Sequence, residues 1–168
     1  MTARDDLPFD PIAEARRQWA AHGWEAAADG MAAVTSLMRA QQIALARVES
    51  VLRPYGVTFA RYEVLMLLYF SRTGSLPMTK IGNRLQVHAT SVTNAVDRLE
   101  AAGLVKRTPH PTDRRTTLVQ ILDQGRELAA KATDDLNAQV FTKPGLSAES
   151  VAALVAVLAE LRHEAGDF

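Results

Sequence analysis

Between His88 and Leu122 the apolar period of this chain changes, and that change limits the folds open to it. From Ala89 to Ala101 the residues Val92, Ala95, Val96 and Leu99 recur every three or four positions, which places them on one side of a helix. Gly103 ends that helix. After it, "LVKRT" and "TTLVQIL" carry β-branched residues and, in the second run, alternating Thr117, Val119 and Ile121. "PHPTD" between them is a turn, so the two runs read as a β-hairpin. A short ribbon tipped with arginines follows directly on a helix.

The rest of the chain reads as helix. Asp10-Pro11 is a helix start, and a short helix to about Ala21 is expected to bury Ile12, Ala15 and Trp19. A long helix spans about Glu25 to Leu52, with Val34, Met38, Gln41, Leu45, Val48 and Leu52 in one stripe. Arg53-Pro54-Tyr55-Gly56 stops it. Thr58 caps "FARYEVLMLLYF", which is apolar nearly all round and therefore central. "SRTGSLP" reads as a loop and "MTKIGNRLQV" as a short helix, with Gly82 small where two helices cross. Helix returns from Asp123 to about Phe141. Ser147 caps a last one, with Val151, Leu154, Val155, Leu158 and Leu161 on one face.

Helix, turn, helix and hairpin, in that order, make a winged helix-turn-helix. On the second helix, Thr90, Asn94, Asp97 and Ala101 lie opposite the apolar side, with Arg98 on the flank. Such a face of small, hydrogen-bonding side chains can enter a major groove and meet base edges. Ser91, Thr93 and Asn94 suit phosphate oxygens, and His88 stands just before the helix. The hairpin then reaches the adjacent minor groove, where narrow walls concentrate negative potential and favour arginine. Asp113 is expected to hold the fork of the Arg115 guanidinium, leaving Arg114 and Arg107 to face phosphates. Lys80 and Arg84 add weaker backbone contacts.

Charge supports a polyanionic partner only locally. The chain is neutral overall, with 19 basic and 19 acidic residues. Between Thr79 and Arg115, seven basic residues outnumber three acidic ones, a net of +4 that leaves −4 elsewhere. Cysteine is absent, which excludes disulfides, thiolate metal sites and thiol redox sensing. No apolar run is long enough to span a bilayer, and "MTARDDLPFDP" has no signal-peptide core, so a cytoplasmic protein with no membrane partner is expected. The phosphate-loop, dinucleotide, nucleophile-elbow and zinc-protease patterns are missing, so no enzyme is expected. The four histidines show no ligand spacing; neither a metal nor a cofactor is expected.

The run "LEAAGLVKRTPHPTDRRTTLVQILDQGREL" resembles the wing and following helix of the MarR family of bacterial transcriptional regulators. The family pattern Leu-Glu-x-x-Gly-Leu-Val-x-Arg falls on Leu99 to Arg107, and its Asp-x-Arg on Asp113 to Arg115. "SVTNAVDRLE" is similar to the family's recognition helix and "VTFARYEVLMLL" to its central helix; the likeness runs from about Ala32 to Leu161. Asn94 stands where many members carry Arg.

The resemblance implies a mainly α fold with a small β-hairpin wing. A winged lobe at about 56–123 would sit between dimerisation helices at about 29–53 and 124–165, with residues 1–28 an extra dimerisation helix. It implies a homodimer on palindromic double-stranded DNA, acting as a repressor. It also implies relief by a small aromatic or anionic effector, for which Trp19, His22, Trp24, Arg39 and Tyr62 are the candidate pocket residues. The rival reading is a helical dimer that binds a ligand or protein but no DNA; it leaves Arg114 and Arg115 without a role.

Overall fold

The computed structural model describes residues 7–113 and 115–168. Seven α-helices and three short strands follow in the order α1 (Pro11–Ala21), α2 (Glu25–Leu52), α3 (Phe59–Phe70), β1 (Ser75–Pro77), α4 (Met78–Leu85), α5 (Ala89–Ala101), β2 (Val105–Pro109), β3 (Thr117–Ile121), α6 (Asp123–Leu136) and α7 (Ala148–Glu164). The helix boundaries follow local chemistry. Asp10 Oδ1 accepts from the Ile12 amide at 2.9 Å, with Pro11 at the first helical position. Thr58 and Ser147 cap α3 and α7 through the amides of Arg61 and Ser150. A 3-10 turn, Arg53–Tyr55, ends α2 at Gly56, whose φ of +70° suits glycine.

The chain divides into two compact units, one ending at Arg47 and the other starting at Val48. In the first, α1 and most of α2 bury only Ala28. Ile12, Ala15 and Trp19 are half-buried rather than buried, because no core forms under α1. The stripe on α2 splits. Val34, Met38 (62% exposed) and Leu45 face solvent, while Val48 and Leu52, in the second unit, are buried.

The second unit holds the core. Leu52, Leu65, Leu68, Ile81, Leu99 and Leu136 are fully buried, with Val64, Val92, Val96, Val105 and Val119 between them. Fully burying one such side chain contributes about 1.5–3 kcal/mol. Helix α3 is central to it through Tyr62, Val64, Leu65 and Leu68, although Phe70 at its end is 75% exposed. Gly82 lets α4 lie close to α5: a Cβ there would come within 3.3 Å of a Val92 methyl. Gly125 does the same for α6, since a Cβ would collide with the Leu104 carbonyl.

The wing is a three-stranded antiparallel sheet in the order β1-β3-β2. Its hairpin pairs Val105 with Ile121, Arg107 with Val119 and Pro109 with Thr117. The expectation of a loop over "SRTGSLP" is corrected by β1, whose Ser75 and Pro77 stand opposite Gln120 and Leu118. With three residues and one buried side chain, Leu76, β1 has no period to read; the free edge of β3 makes it a strand. The helix expected up to Phe141 also changes character. After α6 it widens into a π-helical turn, Asn137–Phe141, closed by the Thr142 amide on the Asn137 carbonyl at 3.1 Å.

Candidate nucleic-acid interface

Helix α5 is positioned from below and capped from within. Val92, Val96 and Leu99 lock its inner face into the core. At its start, His88 Nδ1 accepts from the Thr90 amide at 3.2 Å and lies 3.0 Å from the Thr90 hydroxyl. An imidazole thus takes the place usually held by Ser, Thr, Asp or Asn. Outward, Thr90, Ser91, Thr93, Asn94 and Arg98 are all exposed. Thr93 Oγ1 donates to the Ala89 carbonyl at 3.0 Å, so its hydroxyl offers lone pairs outward more readily than a proton.

The acids nearest Arg98 are engaged elsewhere. Asp97 Oδ1 accepts from Arg107 Nη2 at 2.5 Å, and Glu100 Oε2 from Arg107 Nη1 at 2.5 Å. The Arg107 backbone amide also donates to Glu100 Oε1 at 2.8 Å. That amide first, and the guanidinium second, hold the Glu100 carboxyl below the usual range. Arg107 was expected to face phosphate. Its side chain is instead only 25% exposed and ties β2 to α5. Two carboxylates from one helix satisfy a fork that the groove would otherwise receive. The sequence does hold a signal for this: Glu100 and Arg107 sit either side of the Gly103 turn, close enough to face each other.

The tip of the wing is closed by its own side chains. His110 Nδ1 accepts from the amides of Thr112 and Asp113 at 3.3 and 3.2 Å, which requires the Nε2–H tautomer. Asp113 takes the Thr116 hydroxyl at 2.6 Å and the Arg115 amide at 3.0 Å. Those two bonds, the hydroxyl first, lower its carboxyl from the usual value. The expected guanidinium fork is therefore corrected: Asp113 binds the backbone of Arg115, an Asx-type turn, and leaves the side chain exposed. Arg114 lies outside the described residues.

Lys80 and Arg84 are exposed on α4, on a different side from the Gly82 contact with α5. The five candidate ligand residues are not one cluster. Trp19 and Trp24 meet edge to face at 5.3 Å between centroids, and His22 stacks on Trp24 at 5.9 Å. Arg39 bonds Gln42, three residues on. Tyr62 belongs to the second unit, where its hydroxyl meets Thr133 Oγ1 at 2.8 Å. There it lines an apolar hollow of about 430 Å³ with Phe59, Glu63, Met66 and Phe141, none of which sequence reasoning picked out. Burial pushes the Glu63 carboxyl up.

Three helices packed under a three-stranded wing, with a capped outer helix and an exposed arginine tip, define a winged helix-turn-helix protein. The MarR family model matches residues 57–117, from just before α3 to the start of β3. Among solved structures, Sco5413, a MarR family transcriptional regulator from Streptomyces coelicolor, is 54% identical over 83% of this chain and 97% of its own, with a TM-score of 0.76. The chain belongs to the MarR family. CouR, a transcriptional repressor solved bound to a 23-mer DNA duplex, is 27% identical over 75% of this chain and 89% of its own, with a TM-score of 0.69. YdgJ of Bacillus subtilis, an HTH-type transcriptional regulator, is 32% identical over 64% of this chain and 65% of its own. The chain spans 48–65% of the length of the first curated relatives it matches. These relatives are regulators, not enzymes. Among the described residues no helix is long and apolar enough to cross a membrane.

Proposed function

We propose that this protein is a homodimeric repressor that binds palindromic double-stranded DNA and is released by a small effector. The observation that carries the reading is the pairing of two exposed elements. One is the small polar face of α5, with Asn94 and Arg98 exposed; the other is a wing tip whose Arg115 side chain is exposed and, like Arg98, in no ion pair among the described residues. The first enters a major groove and the second the neighbouring minor groove. CouR, a DNA-bound repressor of the same fold, supports the direction of the reading.

The helices outside the winged lobe supply the dimer. Residues 29–53 and 124–165, with 1–28 as an extension, carry the apolar side chains left uncovered: Val34, Met38 and Leu45 on α2, and Leu154, Val155 and Leu161 on α7. Two lobes about one helical turn apart, roughly 10 base pairs, would then read two half-sites. The effector site is the hollow around Tyr62 rather than the Trp19–Trp24 cluster. Its apolar lining and the half-buried acid Glu63 favour a hydrophobic molecule with a hydrogen-bond donor.

Selection from random duplex DNA, followed by affinity measurements at several salt concentrations, tests this. A palindromic consensus and a slope of several counterions are expected. Binding without a consensus, or no binding with an intact dimer, rejects the DNA reading and leaves a ligand- or protein-binding dimer.

A further inference from the structure

A second polar surface lies on the other flank of the winged lobe. A hollow of about 560 Å³ opens between the end of α3, β1, α4 and the tip-side part of the wing at His110 and Leu118. Arg72, Lys80 and Arg84 line it, together with His110, and no acidic residue does. All three cations are exposed, and among the described residues none is joined to a carboxylate. In a chain of zero net charge, whose other arginines at this lobe include one held by two acids, three cations around one hollow with no carboxylate beside them among the described residues make a local positive field that attracts an anion.

The loop beneath is already hydrogen-bonded in a way that leaves a gap. Ser71 Oγ donates to the Ser75 carbonyl at 3.2 Å and accepts from the Ser75 amide at 3.0 Å. Thr73 Oγ1 also donates to the Ser75 carbonyl at 3.2 Å. The Ser75 hydroxyl, on a residue that lines the hollow, is buried without a partner among the described residues. A buried hydroxyl left unpaired costs free energy.

The hollow also differs in place and chemistry from the surface that reads bases. On α4, Lys80 and Arg84 stand roughly 100° around the helix from Thr79 and Asn83, which border α5. Unlike the apolar hollow at Tyr62, it is lined by cations and hydroxyls. His110, whose ring closes the wing turn, borders it, so an occupant would touch the wing.

We infer that this cleft holds a phosphate group. Two sources share that chemistry: a backbone phosphate of DNA just outside the base pairs read by α5 and the wing, or a free phosphate-bearing small molecule. The first source rests on the DNA reading above; the second does not.

Two measurements on the whole 168-residue chain test it, each with wild type and an Arg72→Ala/Arg84→Ala variant whose melting temperature is checked first. In one, inorganic phosphate is titrated at constant ionic strength against chloride, and amide shifts are followed by NMR. Saturable shifts at Ser71, Thr73, Ser75 and His110, absent in the variant, establish a phosphate site. In the other, affinity is compared for the selected operator cut at its outermost read base pair and for the same operator extended by about one helical turn, roughly 10 base pairs, on each side. A several-fold gain on extension, lost in the variant with a fall of one or two in the salt slope, assigns the site to DNA. Phosphate shifts with no gain on extension assign it to a free ligand. Specific operator binding with neither effect overturns the cleft alone. Phosphate shifts without any duplex binding keep the cleft and overturn the regulator reading.

Discussion

At the base of the wing an arginine is consumed by the fold, and at its tip an arginine is left over. Arg107 and Arg115 are eight residues apart on one hairpin, yet the first is clamped by Asp97 and Glu100 while the second has only its backbone held, by Asp113. The base is also anchored by Val105, Val119 and Ile121 in the core. Among the described residues the tip is tied to itself, through His110, Asp113 and Thr116. With the base packed into the core and the tip bonded within itself, the proposed DNA contact and the folding energy fall on different parts of one ribbon. Damage at the base should appear in folding, and damage at the tip in binding.

The largest expected effect sets the scale at the base. Leu99→Ala empties a fully buried position beneath α5 and should cost about 2–5 kcal/mol in denaturant unfolding. A cost near zero would mean that α5 is not held from the core. Next comes the tip: Arg115→Ala should weaken operator binding by about 1–3 kcal/mol and leave the melting temperature unchanged. Equal loss on random duplex DNA would reassign it from minor-groove reading to general phosphate attraction.

The start of α5 lies between these cases. His88→Ala removes the cap on the Thr90 amide and should cost about 1 kcal/mol of stability, whereas His88→Asn, a good cap, should recover most of it. If both variants lose DNA binding equally while both stay folded, His88 touches DNA rather than acting as a cap.

The smallest effect is in pH. Glu100 and Asp113 both have carboxyls held below their ordinary values, by the Arg107 amide and guanidinium and by the Thr116 hydroxyl and Arg115 amide respectively. A lowered carboxyl contributes stability that is present above its unfolded value, near 4, and is lost as pH falls through its lower folded value. Protection factors for hydrogen exchange in the wing, corrected for the intrinsic pH dependence of exchange, should therefore hold steady from pH 7 to about 5 and fall only under more acid conditions. Glu100→Gln should flatten that response at the base, and Asp113→Asn at the tip.

Much of this architecture was legible in the residues. Apolar spacing and caps placed α2, α3, α5 and α7, because both are local to each helix; burial did not follow for all of them, since α7 has no buried residue and most of the α2 stripe faces solvent. Capping chemistry at Asp10, Thr58 and Ser147 is local and was readable for the same reason. The switch of period after Gly103 announced the wing. The candidate interface was legible as a set of residues but not as a set of roles: Thr90, Asn94 and Arg115 remain exposed, whereas Arg107 turned inward and Asp113 changed its partner from a guanidinium to a backbone amide.

By itself, then, the sequence determined the helices and the hairpin, since these follow from period, caps and residue type. Only the tertiary structure decided the third strand and the spending of Arg107 on two carboxylates. It alone gathered Arg72, Lys80 and Arg84 around one hollow. Each of these depends on which segments pass within a few ångströms of one another. Hydrogen bonds and ion pairs form at that range, and distance along the chain carries no record of it.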